Sequence, residues 1–248
     1  MQLRKYQAIG NDFLLLLDLE TRWRIDEARA RALCDRRRGI GADGLIRLTP
    51  GADGADITFE LRNSDGSPAE TSGNGLRCVA RALLDVGLVT GPRVVIRTVV
   101  GPRVATVGAN GVIGVEMGSA KIEELADGPS PHSALVDLGN PHLVVLDDGQ
   151  FELPPLAAKY PQYNVELIAA TGDEIAMQVW ERGAGETLAC GTGSCASAAA
   201  ARAWGLVGDH VLVHNPGGDV EVALGDPIVL SGPADYVATV ELPNWETR

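Results

Sequence analysis

Two stretches of the chain run a glycine-rich loop into an apolar helix, and they differ at one telling position. The first is "AETSGNGLRCVARALL" (Ala69 to Leu84) and the second "ETLACGTGSCASAAAARAW" (Glu186 to Trp204), with Cys190 standing where the first has Ser72. At a helix start several N–H groups lack intrahelical partners and the macrodipole adds partial positive charge, so a carboxylate or phosphate docks there readily. The same setting is expected to lower the Cys190 thiol from about 8.5 into the range of roughly 3.5–7.5, making it a base or nucleophile.

Two such loops facing one another would place one carboxylate between two helix starts, with Ser72 and Cys190 on opposite sides of the adjoining carbon. That arrangement suits taking a proton from one face and delivering one to the other, which is racemisation or epimerisation α to a carboxylate. Such protons are weakly acidic, and pyridoxal phosphate is a common electron sink for them. The only lysines are Lys5, Lys121 and Lys159, none in a phosphate-cradling context. A reaction without cofactor or metal is therefore expected, with backbone dipoles stabilising an enediolate in a dry pocket.

Polar residues for recognition are Asn11, Asn63, Asn140, Asn164, Glu181 and Arg182, of which Arg182 suits bidentate carboxylate binding and Glu181 an ammonium. Asn in glycine-rich loops also serves simply as a turn former. Cys34, Cys78 and Cys195 read as buried small hydrophobes, and His132, His210 and His214 lack ligand spacing.

The elements that must hold these residues repeat in order. "GNDF" (Gly10 to Phe13) precedes strands ending in "RNSDGS" and then the Ser72 loop; "GNPH" (Gly139 to His142) precedes strands ending in "WERGAGET" and then the Cys190 loop. Helices are expected over 26–36, 75–86, 153–159 and 193–204. Strand signals are more numerous: "FLLLLD", "ADITFELRN", "RVVIRTVVG", "VIGVEM", "ALVDLGNPHLVVLD", "EIAMQVWERG", "HVLVHNPGGDVEVAL" and "YVATVELP". The expectation is α+β, as two copies of one domain of about 110 to 120 residues. The first would cover 1–116 and the second 117–235, with the last strand, about 236–248, free to rejoin the first.

Composition narrows the classes. The chain has 248 residues, is 45% apolar and carries a formal net charge of −12 with its basic residues scattered apart from Arg36 to Arg38, so nucleic acid is not an expected partner. No apolar run approaches the roughly 20 residues of a membrane helix, and the start is too polar for a signal peptide. Neither membrane association nor export is expected; the four cysteines should be reduced thiols of a cytoplasmic protein.

Taken together, "GNDF", "RRRGIGADGL", "RNSDGSPAETSGNGLRC", "GNPH", "YNVELI", "WERGAGETLACGTGSCA" and "VHNPGGDVEV" resemble the diaminopimelate epimerase family over nearly the whole chain. The resemblance implies two pseudo-symmetric domains, each a barrel-like mixed sheet around a central helix, with an active site in the cleft between them. It implies cofactor-independent conversion of L,L- to meso-diaminopimelate in lysine and peptidoglycan precursor synthesis, by a homodimer. Gly73, Asn74, Gly191 and Thr192 would hold the reacting carboxylate through their amides. Asn11, Asn63, Asn140, Asn164 and Arg182 would read the distal amino-acid end, with Glu181 and His142 near the reacting amino group.

Ser72 departs from the family pattern, which has a second cysteine there. A hydroxyl is a far weaker acid than a thiol, so the two-base reaction is expected to be impaired or trapped. Three accounts of Ser72 stay open: a deliberate Cys-to-Ser replacement, a native serine that relays protons itself or through water, and drift towards a related racemase or dehydratase that uses Cys190 alone. A homologue that binds an amino acid without turnover is the remaining alternative.

Overall fold

The structure, a computed structural model, describes residues 1–243, so the end of the expected last strand lies outside the described residues. In chain order the elements begin β1 (Gln2–Ala8), β2 (Asn11–Leu17), α1 (Glu27–Cys34), β3 (Gly44–Pro50), β4 (Ile57–Asn63), β5 (Pro68–Ala69), α2 (Gly73–Asp85), β6 (Arg93–Thr98), β7 (Gly101–Val107) and β8 (Ile113–Gly118). They continue β9 (Lys121–Glu124), β10 (Ser133–Asp137), β11 (Pro141–Leu146), α3 (Leu153–Lys159), β12 (Asn164–Thr171), β13 (Glu174–Glu181), β14 (Gly185–Thr187), α4 (Gly191–Ala203), β15 (His210–Asn215), β16 (Gly218–Ala223), β17 (Ile228–Gly232) and β18 (Asp235–Glu241). The described chain divides into two compact units, one made of residues 1–115 with 233–243, the other of Glu116–Gly232.

Strand pairing follows the same plan in each unit. In the first, β18 pairs antiparallel with β1, β1 with β2, β2 runs parallel to β3, β3 antiparallel to β4, and β4 parallel to β6, which leads to β7 and β8. In the second, β9 pairs antiparallel with β10, β10 with β11, β11 runs parallel to β12, β12 antiparallel to β13, and β13 parallel to β15, which leads to β16 and β17. The returning strand β18 thus does in the first unit what β9 does in the second. The α+β class with two like, barrel-like sheets around central helices is what the resemblance implied.

Each sheet surrounds one helix. In α2 the apolar residues Leu76, Val79, Ala80 and Leu83 recur at helical spacing and are buried against strands that include β1, β2 and β7. In α4 every residue from Gly191 to Ala201 is buried. That helix packs against β10 to β13 and β15 to β17, and only side chains as small as Ala, Ser and Cys leave room for strands on so many sides. The expected helices all form, α2 and α4 each starting two residues earlier than expected because the glycine loops are themselves the first helical turn. Cys34, Cys78 and Cys195 are buried, as the sequence suggested.

The sequence reading missed β1, β3, β5, β7, β9, β12, β14 and β17, of which β1 and β12 are instructive. "QLRKYQA" buries only Leu3, Tyr6 and Ala8, the alternation broken where the register shifts between Lys5 and Tyr6, and "NVELIAAT" buries its first five residues, including a glutamate. Neither presents the bounded apolar run that marks a strand by pattern alone.

Candidate active site

Ser72 and Cys190 are the N-cap residues of α2 and α4, both with extended backbone. Ser72 Oγ accepts a hydrogen bond from the Gly75 amide at 3.1 Å, and Cys190 Sγ accepts one from the Gly193 amide at 3.3 Å. A cap oxygen or sulfur in this position satisfies one of the unpaired donors of the first turn, and the neighbouring amides stay directed out of the helix end.

Cys190 sits in a dense polar cluster. Its Sγ is 3.4 Å from Thr192 Oγ1, which itself accepts from Asn140 Nδ2 at 3.2 Å. Glu181 Oε1 accepts from the Thr187 hydroxyl at 2.6 Å. Behind them His142 and Glu166 are fully buried, with Nδ1 and Oε1 2.7 Å apart. Asn164 accepts from the Arg182 amide through Oδ1 at 2.9 Å, tying β12 to the end of β13. Asn140 Oδ1, His142 Nε2 and Glu166 Oε2 are buried atoms without a hydrogen-bond partner. Such atoms cost free energy unless something completes them, and the second unit has three around one thiol.

The electrostatics overturn one expectation. The Cys190 thiol lies well above its ordinary value, not below it. Burial disfavours the thiolate first, and the charges of Glu181 and Glu166 oppose it further; the Thr192 hydroxyl and the Gly193 amide pull the other way and are outweighed. Glu181 is also raised, again chiefly by burial and then by Glu166, against the favourable bond from Thr187. Both groups are thus held above their ordinary values chiefly by burial.

In the first unit the buried Arg77 donates to Asn74 Oδ1 at 2.8 Å, Asn74 Nδ2 donates to Asn11 Oδ1 at 3.1 Å, and Asn11 Nδ2 donates to Asp43 Oδ2 at 2.9 Å. Each amide is fixed by its neighbours, leaving Asn11 one free donor hydrogen. Arg36 bridges Asp43 at 2.7 Å and Asp12 at 2.6 Å, and Lys5 meets Asp12 at 2.7 Å. The stretch "RRRGIGADG" thus works by anchoring Asn11.

Not every candidate joins a network. Asn63 is exposed at the end of β4 and bonds only locally, to Ser67 Oγ at 3.1 Å. Arg182 is exposed and reaches the Gln162 carbonyl at 3.5 Å. Gly73, Asn74, Gly191 and Thr192 are buried at the helix starts. Sequence reasoning missed Glu166, Asp43, Arg77 and Thr187. The signal for Glu166 was a lone charge inside the apolar "NVELI", and for Arg77 a charge on the apolar side of a helix. No group of metal-binding side chains occurs among the described residues, and no described helix is long and apolar enough to cross a membrane.

The family model for diaminopimelate epimerase matches residues 3–123 and 134–237. A diaminopimelate epimerase of Pelotomaculum thermopropionicum is 36% identical over 98% of this chain and 99% of its own length. One of a Synechococcus strain is 37% identical over 96% of each. Among solved structures, a hydroxyproline epimerase from Agrobacterium vitis with bound trans-4-hydroxy-L-proline superimposes with a TM-score of 0.73, at 18% identity, over 98% of this chain and 90% of that one.

Proposed function

The chain belongs to the diaminopimelate epimerase family, and from that premise we propose that it moves the α-proton of diaminopimelate without a cofactor, Cys190 serving one face of the reacting carbon. The observation that carries this reading is the shared N-cap position of Ser72 and Cys190 on two buried helices that start with glycines. The amides of Gly73, Asn74, Gly191 and Thr192 receive the substrate carboxylate, whose negative charge complements both helix starts. As the α-proton leaves, charge builds on that carboxylate, and the same donors stabilise it. Asn140 Oδ1, an unpaired buried acceptor, suits the substrate ammonium, with Glu181 adding charge. Asn11, Asn63, Asn164 and Arg182 read the distal amino-acid end.

Ser72 makes the reaction one-sided. A hydroxyl neither ionises readily nor gives up its proton near neutrality, so the face served by Ser72 is slow while Cys190 exchanges the proton on its own face. The serine also favours a second reading, a related amino-acid racemase or dehydratase that needs one thiol. We place the protein in the cytoplasm as a homodimer working in lysine and peptidoglycan precursor synthesis, following its family.

Proton NMR of L,L- and meso-diaminopimelate in D2O tests this. Deuterium is expected to enter at the α-carbon of one configuration only and to stop entering with Cys190→Ala. Absence of α-exchange on both isomers would remove the epimerase reading, and α-exchange on another amino acid, or loss of water from a β-hydroxy amino acid, would establish the second.

A further inference from the structure

His142 and Glu166 form a polar pair, fully buried, in a place where the repeat itself shows that no polarity is needed. In the second unit His142 on β11 pairs with Asn164 on β12, and Glu166 lies two residues further along. In the first unit the same register sets Phe13 on β2 against Gly44 on β3, with Ile46 two residues further along. The helix starts confirm the match. A Cβ on Gly193 would come 2.6 Å from Glu166 Oε1, and one on Gly75 would come 3.2 Å from Ile46 Cδ1. The two units thus hold Phe13 with Ile46, and His142 with Glu166, beneath corresponding helix starts.

Replacing a buried ionic pair by apolar residues of similar volume is often neutral or stabilising. Stability therefore gives no reason for His142 and Glu166, and their two unpaired atoms, Nε2 and Oε2, count against them. Even the missing side chain at position 193 makes room for the carboxylate. An ionised carboxylate only accepts hydrogen bonds, so at 2.7 Å it selects the imidazole form with the proton on Nδ1. Nε2 is then left as an acceptor, the form in which it can receive a proton.

We propose that Glu166 is a positioning residue: it fixes His142 as the Nδ1–H tautomer and so presents Nε2, buried and unpaired, as a proton acceptor in the Cys190 cluster. The kinetic part of this inference rests on the epimerase reading; the tautomer does not.

The test is nitrogen-15 NMR of His142, assigned against His142→Asn, in the natural chain and in Glu166→Leu and Glu166→Gln. Nδ1–H is expected in the natural chain and loss of that form in Glu166→Leu, with Glu166→Gln between them. The rate of α-deuterium exchange should fall about tenfold or more in Glu166→Leu while KM moves little, since the lost group touches the reacting atoms only through another. The double swap His142→Phe with Glu166→Ile, which installs the pair of the first unit, should fold with undiminished thermal stability and show the same loss of exchange. An Nε2–H signature in the natural chain, an unchanged tautomer in Glu166→Leu, or exchange in either variant within twofold of the natural chain overturns the proposal. Should the natural chain exchange no proton at all, the functional reading fails by itself and the tautomer still decides this one.

Discussion

Cys190 Sγ and Thr192 Oγ1 lie 3.4 Å apart at the start of a buried helix, yet the helix does not make the cysteine an anion. Burial and the two nearby glutamates together exceed what the Thr192 hydroxyl and the Gly193 amide return, and the thiol is held well above its ordinary value.

Alkylation of Cys190 by iodoacetamide should accordingly be slow near neutrality and climb steadily between about pH 7 and about pH 9, without the plateau of an acidic thiol. Peptide mapping of the modified site measures it. Glu181→Gln removes one opposing charge and should move the climb to lower pH. A plateau below about pH 7 would show that the helix start dominates after all.

The other thiols make a separate statement about stability. Burial pushes Cys34 and Cys78 up to about 12 from an ordinary value of 9.0. A group whose folded value is raised contributes stability that is fully present below its unfolded value and is lost as pH rises through the folded one. Stability should therefore decline from about pH 9 towards about pH 12, as urea midpoints would show. Cys78→Ala should flatten that decline while lowering stability at neutral pH by about 1–2 kcal/mol through the small cavity.

Asp12 works at the other end of the scale. Burial raises its carboxyl, but hydrogen bonds from Arg36 and Lys5 outweigh that and hold it below 3.8. Its contribution is present above the unfolded value and lost as pH falls through the folded one. Asp12→Asn should cost about 1–3 kcal/mol near neutrality, an amount that shrinks in acid. The exchange rate should fall as well, because Arg36 also grips Asp43, the carboxylate that orients Asn11. A loss of stability with no change in exchange would separate Asn11 from the reaction.

The sequence disclosed the repeat because glycine and its neighbours answer to local rules. "SGNG" and "CGTG" must start helices whatever surrounds them, and "GNDF" and "GNPH" mark strand starts for the same reason. What it hid depends on registry between distant strands. That Glu166 lies beside Gly193 follows from β12 passing under α4, and that Asp43 turns Asn11 follows from β2 and β3 pairing in parallel across an intervening helix. The sign of the Cys190 shift was hidden for a like reason. A helix start is visible as a local pattern, whereas burial and the approach of Glu166 arise only on folding.

Ser72 is where sequence and structure together make the sharpest prediction. Its Oγ occupies the cap position that Cys190 Sγ occupies, with an acceptor distance of 3.1 Å against 3.3 Å, so a sulfur fits the loop without a change of backbone. Ser72→Cys therefore needs no new fold, only a more acidic hydrogen on an existing scaffold. A positioned acid or base is typically worth about 10²–10⁴-fold. The variant should convert L,L- to meso-diaminopimelate faster than the natural chain by about 10²-fold or more, and should bring deuterium into both configurations. Chiral analysis of the product beside deuterium content distinguishes turnover from one-sided exchange. If Ser72→Cys gains nothing while the natural chain already interconverts the isomers, the serine, or a water it holds, is itself a working acid, and the thiol at that position is not what the reaction requires.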